Sequence, residues 1–255
     1  MNYNWNWSIL FELEPGASGS YLSYLLVGLG WTLALAILAW LIALVVGTMV
    51  GIGRTLGSAR LERMCFAYTE LFRNVPLLVQ MFLWFFVLPE LLPQALGIAM
   101  KQMPPPWASF WPAVLCLGLF MSVRVAEQVR SGLQALPRGQ RMAALALGLS
   151  VAQTYRRVLM PNVFRMILPP LTSEFLNTIK NSSLALTIGL MELTARARAM
   201  QEFTFQVFEA FAAATVIYLV VNLLVTLAGR SLERSLRVPG YVEAGEGKGL
   251  PLAGH

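Results

Sequence analysis

The chain has 255 residues, 57% hydrophobic and 13% charged, with a net charge of +6. All 13 acidic residues are Glu, there is no Asp, and the only His is His255 at the terminus. That inventory excludes most ways of building hydrolytic or phosphoryl-transfer chemistry, and the apolar excess excludes an ordinary soluble domain.

Residues 1–20 lack the basic start of a cleavable signal. Their Tyr3, Trp5 and Trp7 suit a membrane–water interface, so an extracytoplasmic segment is expected. Apolar runs follow near 21–52, 75–100, 107–123, 163–191 and 207–229, each close to the roughly 20 residues that a helix needs to cross hydrocarbon. The expectation is an all-α integral membrane protein with five core transmembrane helices over residues 21–236. Cys65 and Cys116 fall in or beside apolar runs without metal-like spacing and read as small apolar residues.

The basic residues orient these spans. Arg54, Arg60 and Arg63 follow the first. Arg130, Arg138, Arg141, Arg156, Arg157 and Arg165 lie between the third and fourth. Arg230, Arg234, Arg237 and Lys248 follow the fifth. Basic residues near span ends stay cytoplasmic, so the N-terminus is expected outside and the C-terminus inside. The net positive charge follows from this bias, and no nucleic-acid partner is implied. Membrane lipid is the surrounding medium. The outer connection "KQMPPPWASFW" is stiffened by three prolines and carries interfacial Trp107, Phe110 and Trp111. In the tail, residues 237–255, "GEGKG" lacks the upstream Gly and following Ser or Thr of a phosphate loop and reads as flexible chain.

One stretch, "LPRGQRMAALALGLSVAQTYRRVLMPN" from 136 to 162, is too polar to span a bilayer. Pro137 precedes a short Ala- and Leu-rich helix, which Gly148 breaks. Ser150 is placed to cap a second helix, which Pro161 is expected to stop. From these residues alone, an amphipathic re-entry hairpin and a compact knob beneath the membrane both remain open.

The order Ala143, Ala144, Gly148 and then Pro161 resembles the "EAA" loop of ABC importer permeases. Met142 stands at the position of the family's Glu and Met160 at that of its Leu. "ELFRNVPLLVQMF" at 70–82, "RVAEQVRSGLQALPRGQ" at 124–140 and "IKNSSLALTIGL" at 179–190 resemble the polar amino-acid branch of that family, and above all permease subunits of bacterial glutamate/aspartate importers. The resemblance implies an inner-membrane pore subunit without enzymatic activity. Residues 137–161, with Met142, Ala143, Ala144, Gly148 and Pro161, would couple it to a cytoplasmic ABC ATPase dimer. No cofactor belongs to this chain, since ATP and Mg²⁺ would be bound by the ATPase. A second permease subunit, different or identical, and an extracytoplasmic amino-acid-binding protein complete the implied set of partners. A self-powered secondary carrier, a membrane-embedded enzyme, and a permease of this family for another polar amino acid are the alternatives.

Helical rise places three cations near the mid-depth of their spans. Arg124 lies twelve residues past Pro112, roughly 18 Å along a helix. Counted from Cys65 and Ile167, Arg73 and Lys180 lie about 12 and 20 Å along their helices. Charges there should face protein or a wet cavity, because exposure to lipid costs about 2.5–3.5 kcal/mol or more. Glu70 and Glu127 could pair with Arg73 and Arg124 at helical spacing. Many permeases resembling this one carry Tyr where this chain has Arg124, and a guanidinium fits a ligand with an additional carboxylate. The candidate substrate contacts are therefore Arg124, Lys180 and Arg73, with Asn177, Asn181, Ser182 and Ser183 as further donors. Pro76, Pro169 and Pro170 could bend their spans nearby.

Overall fold

A computed structural model describes residues 3–14 and 19–236. The tail expected at 237–255 and residues 1–2 and 15–18 lie outside the described residues. Every element is helical apart from one isolated antiparallel bridge between Leu13 and Ser20.

Helix α1, Tyr21–Gly53, starts where the Ser20 side chain accepts from the Ser23 amide at 3.4 Å. It is apolar on all sides, so its buried face is set by size and not by polarity. That face is a stripe of small residues: Ala36, Ala39, Ala43, Gly47 and Gly51. The stripe packs on α6, Trp107–Ala135. A Cβ on Gly47 would lie 2.5 Å from the Ser122 carbonyl oxygen, and one on Gly51 would lie 2.8 Å from that of Ala126. Backbone meets backbone along this seam, as small-residue helix pairs in membranes permit.

The apolar run at 75–100 departs from the expected straight span. Helix α2, Ala59–Asn74, ends before Pro76, and the chain turns by 100° into Leu77–Leu91. The latter comprises α3, Leu77–Phe82, a π-turn over Leu83–Val87, and α4, Leu88–Leu91. Pro76 has no amide hydrogen, so the bend leaves carbonyls without helical partners. Buried Gln80 serves them, donating through Nε2 to the carbonyls of Phe72 and Val75, both at 2.9 Å. Pro89 explains the π-turn, because its missing donor and its ring disrupt the preceding turn. After Pro93, α5, Gln94–Lys101, folds back so closely that a Cβ on Gly97 would touch the Pro89 carbonyl. The Lys101–Glu90 ion pair closes this hairpin.

Beyond α6 come α7, Arg138–Ala146, then α8, Val151–Thr154, a π-turn over Tyr155–Leu159, and α9, Met160–Asn181. A 3₁₀ segment, Ser182–Ile188, continues from α9 and ends at left-handed Gly189. Helix α10, Leu193–Thr204, leads into α11, Val207–Leu236. By length and composition α1, α6 and α11 can each cross a membrane, and the bent α2–α4 pair makes a fourth candidate. Helix α9, expected as a span, does not qualify by those measures, since Arg165, Pro169, Pro170, Glu174 and Lys180 interrupt it.

The main core joins α1, α6 and α9 around Leu35, Phe110, Leu117, Met121, Val163 and Ile167. A second cluster joins the start of α1 to α10 and α11. The N-terminal segment closes over it: Glu209 accepts from the Tyr3 hydroxyl at 2.5 Å and the Asn6 amide at 2.8 Å. Burial and that carboxylate push the Tyr3 phenol above its ordinary range. Trp5 and Trp7 stack at 5.8 Å and stay exposed, as interfacial aromatics would.

Candidate functional site

The polar stretch at 136–162 forms the expected two-helix corner. Pro137 caps α7 at its start. At its end the Leu149 amide donates to Ala144 at 3.2 Å and the Gly148 amide to Leu145 at 3.0 Å. This pair of bonds is a Schellman motif, and Gly148 takes the left-handed conformation it needs, with φ at 80°. Ser150 and Gln153 form a reciprocal capping box, at 3.3 Å and 2.9 Å. The expectation for Pro161 is corrected: it does not stop the second helix but sits in the first turn of α9. The π-turn just before it widens the helix, which accommodates a residue without a donor. Asn162 Nδ2 then donates to the Val158 carbonyl at 3.0 Å.

This corner carries an apolar surface. Met142 is 64% exposed and Leu147 83% exposed, with Ala143, Leu145 and Val151 also exposed around them. Ala144 of α7 and Thr154 of α8 turn inward. The Tyr155 hydroxyl donates to the Thr55 carbonyl at 3.0 Å and lies 3.1 Å from the Thr55 hydroxyl, tying the corner to the turn after α1.

The candidate substrate residues separate into two groups. Arg124 is exposed although its neighbours Val123 and Val125 are buried, and it has no hydrogen-bond or ion-pair partner among the described residues. The pairing with Glu127 that helical spacing offers is not made. Glu127 Oε1 binds Arg54 at the end of α1, and Oε2 binds Arg130 at 2.9 Å. Lys180 is likewise exposed and without an acidic partner among the described residues. Asn177 is half-buried and donates to Glu174 at 3.3 Å, and Asn181 is half-buried. The Ser183 hydroxyl donates to the Lys180 carbonyl at 2.8 Å.

Arg73 and Ser182 sit apart. Arg73 occupies the last turn of α2, immediately before the bend, with a side chain 54% exposed and paired to Glu70. Ser182 is fully buried and donates to the Ile179 carbonyl at 2.7 Å.

Sequence reasoning missed Glu192. Its carboxylate is fully buried and caps α10, accepting from the amides of Thr194 at 3.0 Å and Ala195 at 2.8 Å. It also accepts from Thr32 of α1 at 3.3 Å and Tyr218 of α11 at 3.1 Å. Three helices therefore share one carboxylate. The local signal was a Glu directly before "LTARA", a position from which an acidic side chain can cap a helix.

Residues 58–238 match the family model for the binding-protein-dependent transport system inner membrane component. The chain is 45% identical over 241 residues to the glutamate/aspartate import permease protein GltJ of Escherichia coli K12, covering 94% of this chain and 98% of that one. It is 30% identical to the arginine transport system permease protein ArtQ of Bacillus subtilis, covering 89% and 98%. A crystal structure of an amino acid ABC transporter with histidines superposes with a TM-score of 0.70 at 31% identity, covering 84% of this chain and 95% of that chain.

Proposed function

The chain belongs to the family of binding-protein-dependent transport system inner membrane components, and from that premise we propose that it is the pore-forming permease subunit of an ATP-driven importer for glutamate and aspartate. The observation that carries the substrate is 45% identity along nearly the full length of a glutamate/aspartate permease. It is joined by an exposed Arg124 whose charge no carboxylate among the described residues neutralises.

In this reading the chain performs no chemistry. Residues 21–236 contribute five spans, the bent α2–α4 segment serving as the second and α9 as the fourth, enclosed by α1, α6 and α11. The N-terminus is outside and the C-terminus inside, so the α7–α8 corner is cytoplasmic. Its exposed Met142, Leu147 and Val151 form an apolar knob that a cytoplasmic ATPase would cover, with Gly148 holding the corner. Met142, in place of the family's Glu, adds apolar contact there instead of charge. Arg124 and Lys180 face away from the packed core. They are placed to line a path completed by a second permease subunit, where the Arg124 fork would receive a carboxylate. Asn177, Asn181 and Ser183 lie on the same helical stretch as Lys180. Arg73 at the bend and Ser182 at the end of α9 are the remaining candidate contacts of that path. Substrate would be delivered by an extracytoplasmic binding protein.

The test is reconstitution. The chain, co-purified with its ATPase and other permease subunit and placed in liposomes with its binding protein, should take up glutamate only when ATP is present on the ATPase side. Uptake by this chain alone, driven by an ion gradient, would establish a secondary carrier instead.

A further inference from the structure

We propose that the cavity between the end of α6, the start of α7 and the turn after α1 is a binding site for a phosphate-bearing anion, the headgroup of an acidic phospholipid. It is separate from the transport path and does not depend on which amino acid is carried. The cavity has a volume of about 430 Å³ and is lined by Arg54, Gln134, Arg138, Arg141 and Tyr155 among others, a size ordinary for a small-ligand site. No carboxylate is among its lining residues. Arg54 is neutralised from outside it by Glu127. Arg138 and Arg141 have no acidic partner among the described residues, so two guanidinium charges remain uncompensated beside one opening.

The wall opposite them is built. The Tyr155 hydroxyl is held by both the carbonyl and the hydroxyl of Thr55, and the Arg141 guanidinium lies over the Tyr155 ring at 6.0 Å. Paired guanidinium forks suit phosphate oxygens.

Position selects the source. The two long apolar helices α1 and α6 end at Gly53 and Ala135, and the cavity is lined from the last turn of α6, at Leu133 and Gln134, and from Arg54, one residue beyond α1. A ligand here sits where hydrocarbon gives way to headgroups, and basic pockets at that level suit anionic lipid.

The experiment uses the chain purified with its bound partner subunits and titrates phosphatidylglycerol or phosphatidylcholine, counting bound lipid by native mass spectrometry. Phosphatidylglycerol should bind about tenfold more tightly than phosphatidylcholine, and Arg138→Gln with Arg141→Gln should remove that preference. Arg156→Gln with Arg157→Gln changes two exposed arginines outside the cavity and should leave the preference intact. If millimolar inorganic phosphate displaces the lipid, the cavity recognises phosphate itself and the acyl chains add nothing; if it does not, the lipid headgroup is the ligand. Should the glutamine pair fail to co-purify with its partners, Arg138→Lys with Arg141→Lys replaces it and should retain a reduced preference. Equal binding of the two lipids by the unaltered protein, or equal loss in both double variants, overturns the proposal.

Discussion

Replacing Arg124 separates a substrate contact from a structural ion pair. Because Arg124 is exposed and without an ionic partner among the described residues, its removal should change stability by no more than about 0.5 kcal/mol. Any larger effect must then appear in transport. Arg124→Lys keeps the charge but loses the bidentate fork, and a charge-assisted hydrogen bond contributes about 1.5–3 kcal/mol. That corresponds to a fall in glutamate uptake of roughly ten- to a hundredfold. Arg124→Tyr should lower glutamate uptake further and admit a neutral polar amino acid. Glu127→Gln should behave differently: it strips Arg54, whose side chain is only 12% exposed, of its partner, and so lowers thermal stability whatever the substrate. The double variant Arg124→Tyr, Glu127→Gln should show both losses together, since the two residues do not touch one another. Uptake is measured in proteoliposomes carrying the whole importer, alongside the unfolding midpoint of each purified variant. Recovery of glutamate uptake in the double variant, or a loss of stability in Arg124→Tyr equal to that of Glu127→Gln, would refute the reasoning.

A reporter active only in the cytoplasm should work when fused after Arg60, Gln153 or Arg237 and stay silent after Gln102 or Arg198; activity after Gln102 contradicts the five-span orientation. Gly148→Ala meets nothing within 4 Å, yet φ at 80° strains any side chain, at about 1–2 kcal/mol. It should weaken ATPase co-purification, whereas Gly139→Ala, in equally open space, should not. Gly47→Ala drives a Cβ against the Ser122 carbonyl and should cost about 1–3 kcal/mol of stability, read as a lowered unfolding midpoint. Gly30→Ala in the same helix meets nothing and should be neutral or stabilising. Glu192→Ala removes the acceptor shared by the hydroxyls of Thr32 and Tyr218 and the amides of Thr194 and Ala195, a loss of about 1–3 kcal/mol, so it should accumulate poorly in membranes while Glu192→Gln, which keeps an acceptor, accumulates better.

Local signals were read well because the physics that sets them is local. Pro76 marked a bend, and Gly148 and Ser150 marked the corner between α7 and α8, since a missing donor, a positive φ and a capping hydroxyl act within one turn. Pro161 was misread for the opposite reason. A proline ends a regular helix, but a π-turn one residue earlier absorbs it, and nothing in the sequence announces that turn. The run at 75–100 looked like one span because apolar content records burial or lipid contact without recording direction. The partners of Glu127 and Glu192 were hidden by distance in the chain. Helical spacing offers Glu127 both Arg124 and Arg130, and only the arrival of Arg54 from α1 decides between them. Burial of Glu192 depends on Thr32, far upstream, and on Tyr218, one helix later.

The seam between α1 and α6 has a consequence for the order in which the protein is made. Helix α1 leaves the ribosome first and is apolar on every side, so it can wait in the bilayer with its glycine stripe facing lipid. Helix α6 cannot wait so easily, because it brings Arg124, Glu127 and Arg130 in its own length. When it enters, the stripe of α1 offers a ready groove, and Arg54 already stands at the level where Glu127 arrives. The polar helix is thus received by an apolar host synthesised before it. A circular permutant that delivered α6 ahead of α1 would expose the same charges to lipid with no helix in place to receive them.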